Sequence, residues 1–340
     1  MIKILQGNCI DKIKELDDNS IDCVVSSPPY FGLRDYGVDG QFGLEKTYHD
    51  YLANTVKVFE TFKPKLKDTA TIWWNVGDSY NSTNGFCRNK GKYKRKGRDG
   101  GSNDKKLIKN SIIKEKDLMM IPNRVAIALQ DAGWYIRSEI IWHKPNPMPE
   151  SVRDRPTSCH EKIWLITKNK KYYYDHEAIK EPITDTTAIR LLQKNIDNQK
   201  GSLRGNGGMK PNGNMKAMGR KKFDKNMGGS GTSFVDHSGY KKSDGTYMIN
   251  STRNKRNVWT ITTKPFKDAH FATFPKDLIE PCIKAGCPEG GVVLDPFGGS
   301  GTTGIVASLN NRNAILIELN QNYIDIANKR IDKEVGLFNG

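Results

Sequence analysis

The sequence predicts an α/β fold with a buried sheet of parallel type and one inserted or appended subdomain. Three observations carry that expectation. Gly291-Val-Val-Leu-Asp-Pro-Phe-Gly-Gly-Ser-Gly-Thr-Thr-Gly304 reads as a strand, a glycine-rich turn and the start of a helix, and Ala314 to Glu318 reads as the next strand. The chain of 340 residues is ample for a full α/β core. Two stretches rich in Lys, Gly, Ser and Asn interrupt an otherwise regular alternation of strand and helix patterns.

The glycine-rich turn is the most informative stretch. Val292, Val293 and Leu294 form an apolar run of the kind buried in parallel sheets. Asp295 ends it, and Pro296 prevents its continuation. Gly298, Gly299 and Gly301 allow a tight turn and close approach to a ligand. Thr302 to Leu309 has helical spacing, so the glycines, with Ser300, sit at a helix N-terminus. This is half of a nucleotide-cofactor site. The turn lacks the Lys-Ser/Thr ending of a phosphate-cradling loop, and a carboxylate at Asp295 would repel phosphates but suits a cation. Glu318, at the tip of the next strand, fits a ribose diol with its two hydroxyl donors. The implied ligand carries a positive group and a ribose, as S-adenosyl-L-methionine does. An ordinary strand-to-helix turn would not need an acid on both tips.

From the N-terminus, Lys3 to Leu5 is a short strand ending at Gly7-Asn8, and Cys9 to Leu16 is an amphipathic helix. Ile21 to Val25 is a strand running into Ser26-Ser-Pro-Pro-Tyr30, where two prolines stop the ladder and turn the backbone sharply. His49 to Phe62 is a helix with Leu52, Val56 and Phe59 on one face, and Thr69 to Trp74 is a strand closed by Asn75-Val-Gly-Asp78. Residues 81–110 form a basic loop with few residues able to bury apolar surface. Gripping phosphates and making a solvated excursion fit it equally. Asp117 to Ala132 is a helix (Leu118, Val125, Ala128, Leu129), Trp134 to Trp142 a long strand, and His143 to Pro149 a proline-stiffened loop. Glu161 to Thr167 is a strand expected to pair antiparallel with the one before it, at the sheet edge. Residues 169–257 are rich in Lys, Arg, Asn, Gly and Ser and read as a flexible insert or a subdomain that orders on a partner. Val258 to Ile261, Ala269 to Pro275 and a helix from Lys276 to Ala285 then lead into the glycine-rich turn, and Asn322 to Lys333 is the last helix. The domain reading is therefore 1–168 and 258–333 as halves of one domain, 169–257 as an insert, and 334–340 as a tail.

Lys plus Arg total 54 against 38 Asp plus Glu, a net charge of +16, which points to a polyanionic partner, usually nucleic acid. The six cysteines are scattered, with no CxxC pair and no His/Cys cluster, so no metal site is expected and reduced thiols in the cytoplasm fit best. With no signal-peptide h-region and no run of about 18 apolar residues, no membrane span is expected.

Ser27-Pro-Pro-Tyr30 is the second anchor. A strand tip with a hydroxyl, two prolines and an aromatic is built to hold a planar amine. The Ser27 hydroxyl and the Pro28 carbonyl can both face an exocyclic NH2, Pro29 stiffens the loop, and Tyr30 can stack on the ring, which contributes about 1–3 kcal/mol. Ser27-Pro-Pro-Tyr30 followed by Asp295-Pro-Phe-Gly-Gly-Ser-Gly301 resembles the amino-DNA methyltransferase family, which methylates N4 of cytosine or N6 of adenine. The order (catalytic motif, variable basic middle, cofactor loop) is similar to the family's β arrangement, in which the middle segment is the target-recognition region. The resemblance covers about residues 3–80, 112–168 and 258–333.

The resemblance implies a Rossmann-like methyltransferase fold: a mostly parallel seven-stranded sheet with helices on both faces. Cofactor and substrate would meet at the C-terminal strand edge. It implies Ser27, Pro28, Pro29 and Tyr30 as the catalytic loop. S-adenosyl-L-methionine would be held by Asn8, Phe274, Pro275, Asp295, Phe297, Gly299, Ser300, Gly301, Thr302 and Glu318. Asn8 stands where the family usually has Asp, and His270 is expected to be a backbone-satisfied residue at a helix entry. The substrate implied is double-stranded DNA with the target base flipped out of the stack. Serine at the first motif position goes mainly with N4-cytosine. A hydroxyl can donate to cytosine N3 as well as accept, although it could also face adenine N1. The alternatives are N6-adenine methylation and, more distantly, an RNA or protein amide methyltransferase. A restriction-modification or phage-protection setting with a cognate endonuclease, and a homodimer, stay open at this level.

Overall fold

The computed structural model describes residues 1–33, 37–38, 40–81, 113–184, 239–241, 247–249, 252–263 and 274–336. In chain order the strands and helices that matter here are β1 (Ile2–Gln6), α1 (Cys9–Lys14), β2 (Ile21–Ser26), α2 (Tyr48–Phe62), β3 (Leu66–Val76), α3 (Ile121–Asp131), β4 (Tyr135–His143) and β5 (His160–Thr167). Then come β6 (Glu181–Pro182), β7 (Gly239–Lys241), β8 (Tyr247–Ile249), β9 (Thr252–Arg253), β10 (Val258–Thr260), α4 (Lys276–Gly286), β11 (Val292–Asp295), α5 (Thr302–Leu309), β12 (Asn313–Glu318) and α6 (Gln321–Glu334). The chain divides into two compact units, Met1–Ala178 with Arg256–Gly340, and Ile179–Lys255.

The first unit is built on one sheet of order β1-β12-β11-β2-β3-β5-β4-β10. Only the pairings of β5 with β3 and with β4 are antiparallel; the others are parallel. The mostly parallel α/β architecture is the one expected, with one addition. β10 extends the sheet beyond β4, so the β4–β5 pair does not form the edge and the strand count is eight. The reason is local. Trp259 of β10 is buried beside Trp73, at 6.4 Å between ring centroids, and Trp142 Nε1 donates to the Ile261 carbonyl at 2.8 Å. Two tryptophans are thereby shielded from water by a strand too short to announce itself in the sequence.

Side-chain alternation along β3 sets the two layers. Trp74 faces α2, with Phe59 at 5.0 Å edge-on, and shares a core with Val58, Phe62, Val125 and Leu129 of α2 and α3. Trp73 and Thr71 face the other way, toward α4, where the Thr71 hydroxyl donates to the Gly286 carbonyl at 3.0 Å. A Cβ on Gly286 would collide with Thr71 Oγ1 and Trp73 Nε1, so this helix end can lie on the sheet only as glycine. α5 follows the same face, with Gly304 against Leu316 and Ile2.

One helix starts later than its apolar spacing suggests. α3 begins at Ile121, not Asp117. Met120 takes a left-handed conformation (φ 57°), and Leu118 instead bridges Tyr80 in an antiparallel contact. Pro122, in the first turn, suits that start because its missing N–H is not needed there. The basic stretch 82–112 lies outside the described residues, as do 185–238 and 264–273, with His270. In the second unit, β6 pairs antiparallel with β9 and β7 with β8, and Arg253 Nε donates to Glu181 Oε1 at 2.8 Å. Among the described residues no helix is long and apolar enough to cross a membrane. Gly286→Ala is expected to lower the unfolding free energy by about 1–3 kcal/mol through overpacking, as measured by urea denaturation.

Candidate active site

β11 and β2 are neighbours in the sheet, paired Val293 to Cys23 and Leu294 to Val24, so their C-terminal tips emerge side by side. The chain separates these tips by 269 residues, yet Ser26 Oγ donates to Asp295 Oδ1 at 2.6 Å. Thr303 Oγ1 donates to Asp295 Oδ2 at 2.5 Å, and the Phe297 amide donates to Oδ1 at 3.1 Å. Asp295 is almost wholly buried, and burial pushes its carboxyl up to about 6 in spite of these donors. Its oxygens are occupied by the protein, so its place is that of an organiser joining the two loops.

The glycine loop turns as its sequence requires, with φ of 50° at Gly299 and 80° at Gly301. The Gly299 amide donates to Glu318 Oε2 at 2.9 Å and the Asn320 amide to Oε1 at 2.8 Å; burial raises the Glu318 carboxyl. A Cβ at Gly298 would meet Leu316 at 2.8 Å, whereas one at Gly299 would find nothing nearer, among the described residues, than the Phe297 carbonyl at 3.9 Å. Among the described residues the loop is therefore packed on one side and open on the other, beside the Glu318 carboxylate. That is a cradle suited to a nucleoside without phosphates. Ser300 and Thr302 are buried, and their hydroxyl oxygens accept from Arg330 Nη1 at 2.8 and 3.0 Å, so these side chains serve α6. Gly301 lies against Ala327 of the same helix. Asn8, at the end of β1 beside β12, caps α1 by accepting from the Ile10 amide at 2.9 Å. Phe297 sits between Phe42 (5.3 Å) and Trp74 (6.0 Å). Phe274 lines a small cavity of about 10 Å³ with Ser26, Asn75, Ile163 and Cys282, and Pro275 is the N-cap of α4. A larger hollow of about 400 Å³ between α1 and α2, lined by Lys14, Lys57 and Lys65, opens at the N-terminal ends of β2 and β3, the opposite edge of the sheet from these loops.

Ser27 to Tyr30 follow directly on Ser26. Tyr30 Oη donates to Glu161 Oε2 at 2.6 Å, and Ser27 Oγ donates to Tyr30 Oη at 3.1 Å. Asn75 Nδ2 reaches Tyr30 Oη (2.8 Å), Glu161 Oε2 (3.0 Å) and Ser27 Oγ (3.3 Å). Lys144 is ion-paired with Glu161. Burial, reinforced by the Glu161 charge, holds the Tyr30 phenol well above its ordinary value, so it stays protonated. The loop is clasped from behind as well. Tyr51 Oη donates to the Pro29 carbonyl at 3.3 Å, and a Cβ on Gly43 would come within 3.0 Å of the Pro29 and Tyr30 carbonyls.

The family described as DNA methylase, of the N6/N4 methyltransferases, matches residues 21–329. This chain belongs to that family. It is 40% identical over 329 residues to the Type II methyltransferase M.SmaI of Serratia marcescens, covering 97% of this chain and 90% of that protein. It is 38% identical over 340 residues to the Type II methyltransferase M.Cfr9I of Citrobacter freundii, covering 97% and 88%. Among solved structures, the PvuII DNA methyltransferase (cytosine-N4-specific) shares the fold with a TM-score of 0.58 at 16% identity, covering 99% of this chain and 91% of that one. A putative DNA modification methylase of Thermus thermophilus, TTHA0409, in complex with S-adenosyl-L-methionine, gives 0.54 at 18%, covering 98% and 96%.

For a DNA methylase, the polar floor beneath Ser27 holds the least expected residues. The sequence singled out Ser27 and Tyr30, and the structure places Asn75, Glu161 and Lys144 against them. Asn75 sits at the end of β3, next to β2. Glu161 sits at the start of β5, and because β5 runs antiparallel its first residues share an edge with the last residues of β2 and β3. Knowledge of the strand order would have been enough to find both. Tyr30 is held at both its hydroxyl and its ring edge. Its hydroxyl is anchored in the floor and its ring edge lies against Gly77, where a Cβ would come within 2.5 Å of Cε2. Ser27 spends its proton on Tyr30, so it meets a ligand as an acceptor.

Gly77→Ala should displace the Tyr30 ring and cut DNA methylation by about tenfold or more while cofactor affinity stays near wild type, as compared by turnover and calorimetry. The folded-state value of Asp295 lies above its unfolded value, so its relative stabilisation is present below about pH 4 and lost as pH rises through about 6. At about pH 7.5 its charge costs up to about 3 kcal/mol. Asp295→Asn should therefore gain stability relative to wild type between about pH 4.5 and about pH 7.5, measured by thermal melts at both.

Proposed function

We propose that this protein is a site-specific DNA methyltransferase that moves a methyl group from S-adenosyl-L-methionine to the exocyclic amine of a base flipped out of double-stranded DNA, at N4 of cytosine. The observation that carries the reading is the Ser26–Asp295 hydrogen bond, which sets the Ser27–Tyr30 loop beside the glycine cradle. S-adenosyl-L-methionine supplies an electrophilic methyl group on a cationic sulfur. The main chain around Gly299, the free lone pairs of Glu318 and the ring of Phe297 would hold it. Asp295 and Glu318 put negative charge at the cradle, which favours a cation.

The chain's own part in the reaction is orientation. An exocyclic amine is a poor nucleophile because its lone pair is delocalised into the ring. Ser27 Oγ, with its proton directed at Tyr30, and the Pro28 carbonyl would accept the two amine protons and draw the nitrogen toward pyramidal geometry. Tyr51, Gly43 and Gly77 fix the loop from behind, so the acceptors need no reorganisation at the moment of transfer. Residues 169–257 are proposed as the target-recognition region, and a cognate endonuclease as the functional partner in the cytoplasm. Both proposals draw on the basic composition and on relatives named as Type II methyltransferases.

The serine form of the catalytic motif supports cytosine. One observation favours the second reading, N6 of adenine: Ser27, as a pure acceptor, suits an adenine amine equally well. Sequencing that separates N4-methylcytosine from N6-methyladenine, on DNA from an expressing host, is expected to show N4-methylcytosine at one short motif. N6-methyladenine instead would reject the cytosine assignment. Ser27→Ala and Tyr30→Ala should each lower methyl incorporation by about 10²-fold or more with cofactor binding retained. Near-wild-type turnover in both would remove the loop from the mechanism.

A further inference from the structure

We infer that Glu161 is the terminal acceptor of an ordered hydrogen-bond chain, target amine to Ser27 to Tyr30 to Glu161, that fixes the direction of the Ser27 proton and takes up the proton the amine sheds. The inference rests on the amine-methylation reading above.

The direction follows from what each group can do. A carboxylate only accepts, so the 2.6 Å contact requires Tyr30 to donate to Glu161. With its one proton committed, the Tyr30 oxygen can only accept from Ser27, at 3.1 Å, and from Asn75, at 2.8 Å. Ser27 must then donate to Tyr30, which leaves its oxygen to accept from Asn75 and from a ligand. The Asn75 amide is held in register the same way, because its nitrogen and not its oxygen can face Glu161. A serine hydroxyl is ordinarily free to rotate. Here one half-buried carboxylate, reached through Tyr30, makes it an obligate acceptor, the role an aspartate would fill by itself. The side chain of Glu161 is 16% exposed and is paired with Lys144, itself seated over the Trp142 ring, so the end of the chain is fixed in place.

The same chain gives the proton a route. An amine that gains a methyl group carries one positive charge until an N–H bond breaks. That proton passes to Ser27 Oγ as the Ser27 proton passes to Tyr30 Oη and the Tyr30 proton passes to Glu161. One N–H bond is lost and one carboxyl O–H bond forms. The electron pair of the broken bond stays on nitrogen, and the positive charge on the amine and the negative charge on Glu161 disappear together. Neither hydroxyl changes its net protonation, which agrees with a Tyr30 phenol too weak an acid to hold a charge there. Glu161 acts through Tyr30 and Ser27 and is a positioning residue in this sense.

The test compares full-length wild type with Glu161→Gln, which keeps an acceptor oxygen but cannot take up a proton, with Tyr30→Phe, which keeps the ring but breaks the chain, and with the double variant. The assay is tritiated-methyl transfer from S-adenosyl-L-methionine to DNA. Each single variant is expected to lose about 10²-fold in kcat, with KM for DNA and calorimetric cofactor affinity within about twofold of wild type. The double variant should be no slower than the slower single, because both changes cut one chain. Losses that multiply in the double variant, either single variant within about threefold of wild-type kcat, or losses confined to KM or melting temperature would each overturn the proposal. Absence of DNA methylation by the wild type would overturn the underlying reading and this one together. An active wild type with an unaffected Glu161→Gln overturns this one alone.

Discussion

The placement of Asp295 governs the rest of the structure. A carboxylate buried at the tip of β11 accepts from Ser26 on the adjacent strand tip, from Thr303 at the start of α5 and from the amide of Phe297 in its own loop. Hydrogen bonds to a buried charge contribute about 1.5–3 kcal/mol each, and leaving such a charge unsatisfied costs more. The two loops therefore cannot part without exposing an unsatisfied group. The loops that follow Ser26 and Asp295 have no covalent proximity to hold them together, and this shared carboxylate replaces it.

Two layers of contact surround that join, and they differ in kind. Above Asp295 the contacts are aromatic: Phe297 lies between Phe42 and Trp74, Phe42 on Tyr51, and Trp74 on Phe59. These rings connect the glycine loop to the α2 layer through dispersion and area, with little demand on direction. Below Ser27 the contacts are polar and directional, running from Asn75 and Tyr30 to Glu161 and Lys144. Apolar packing decides where the loops are, and the polar floor decides which way a proton points. A site that must orient a weak nucleophile needs both, because a hydroxyl placed correctly but free to rotate would present a donor as often as an acceptor.

Much of the scaffold was legible because it depends on local chemistry. Period-two and period-3.6 patterns placed the main strands and helices within a few residues, since each must bury one face. α3 was the exception, where a left-handed Met120 and the Tyr80–Leu118 bridge overrode a helical pattern. β10 was underestimated because three residues carry too little periodicity to mark a sheet edge. In the site, the strand-tip acids and the glycines could be read from the string because turn geometry demands them. The Ser300 and Thr302 hydroxyls accept from Arg330, a pairing that only the packing of α6 reveals.

By itself the sequence determined the two strand-tip loops, their order along the chain and the family, because glycine, proline and strand-tip acids impose their geometry wherever they stand. Only the tertiary structure decided that Ser27 donates to Tyr30 and accepts from Asn75, that Tyr30 is anchored by its hydroxyl, and that Asn75, Glu161 and Lys144 belong to the same constellation. The physical reason is that hydrogen-bond direction depends on the partner. Glu161 lies 131 residues from Tyr30 along the chain, on a strand whose reversed direction brings its first residues to the edge where its neighbours end.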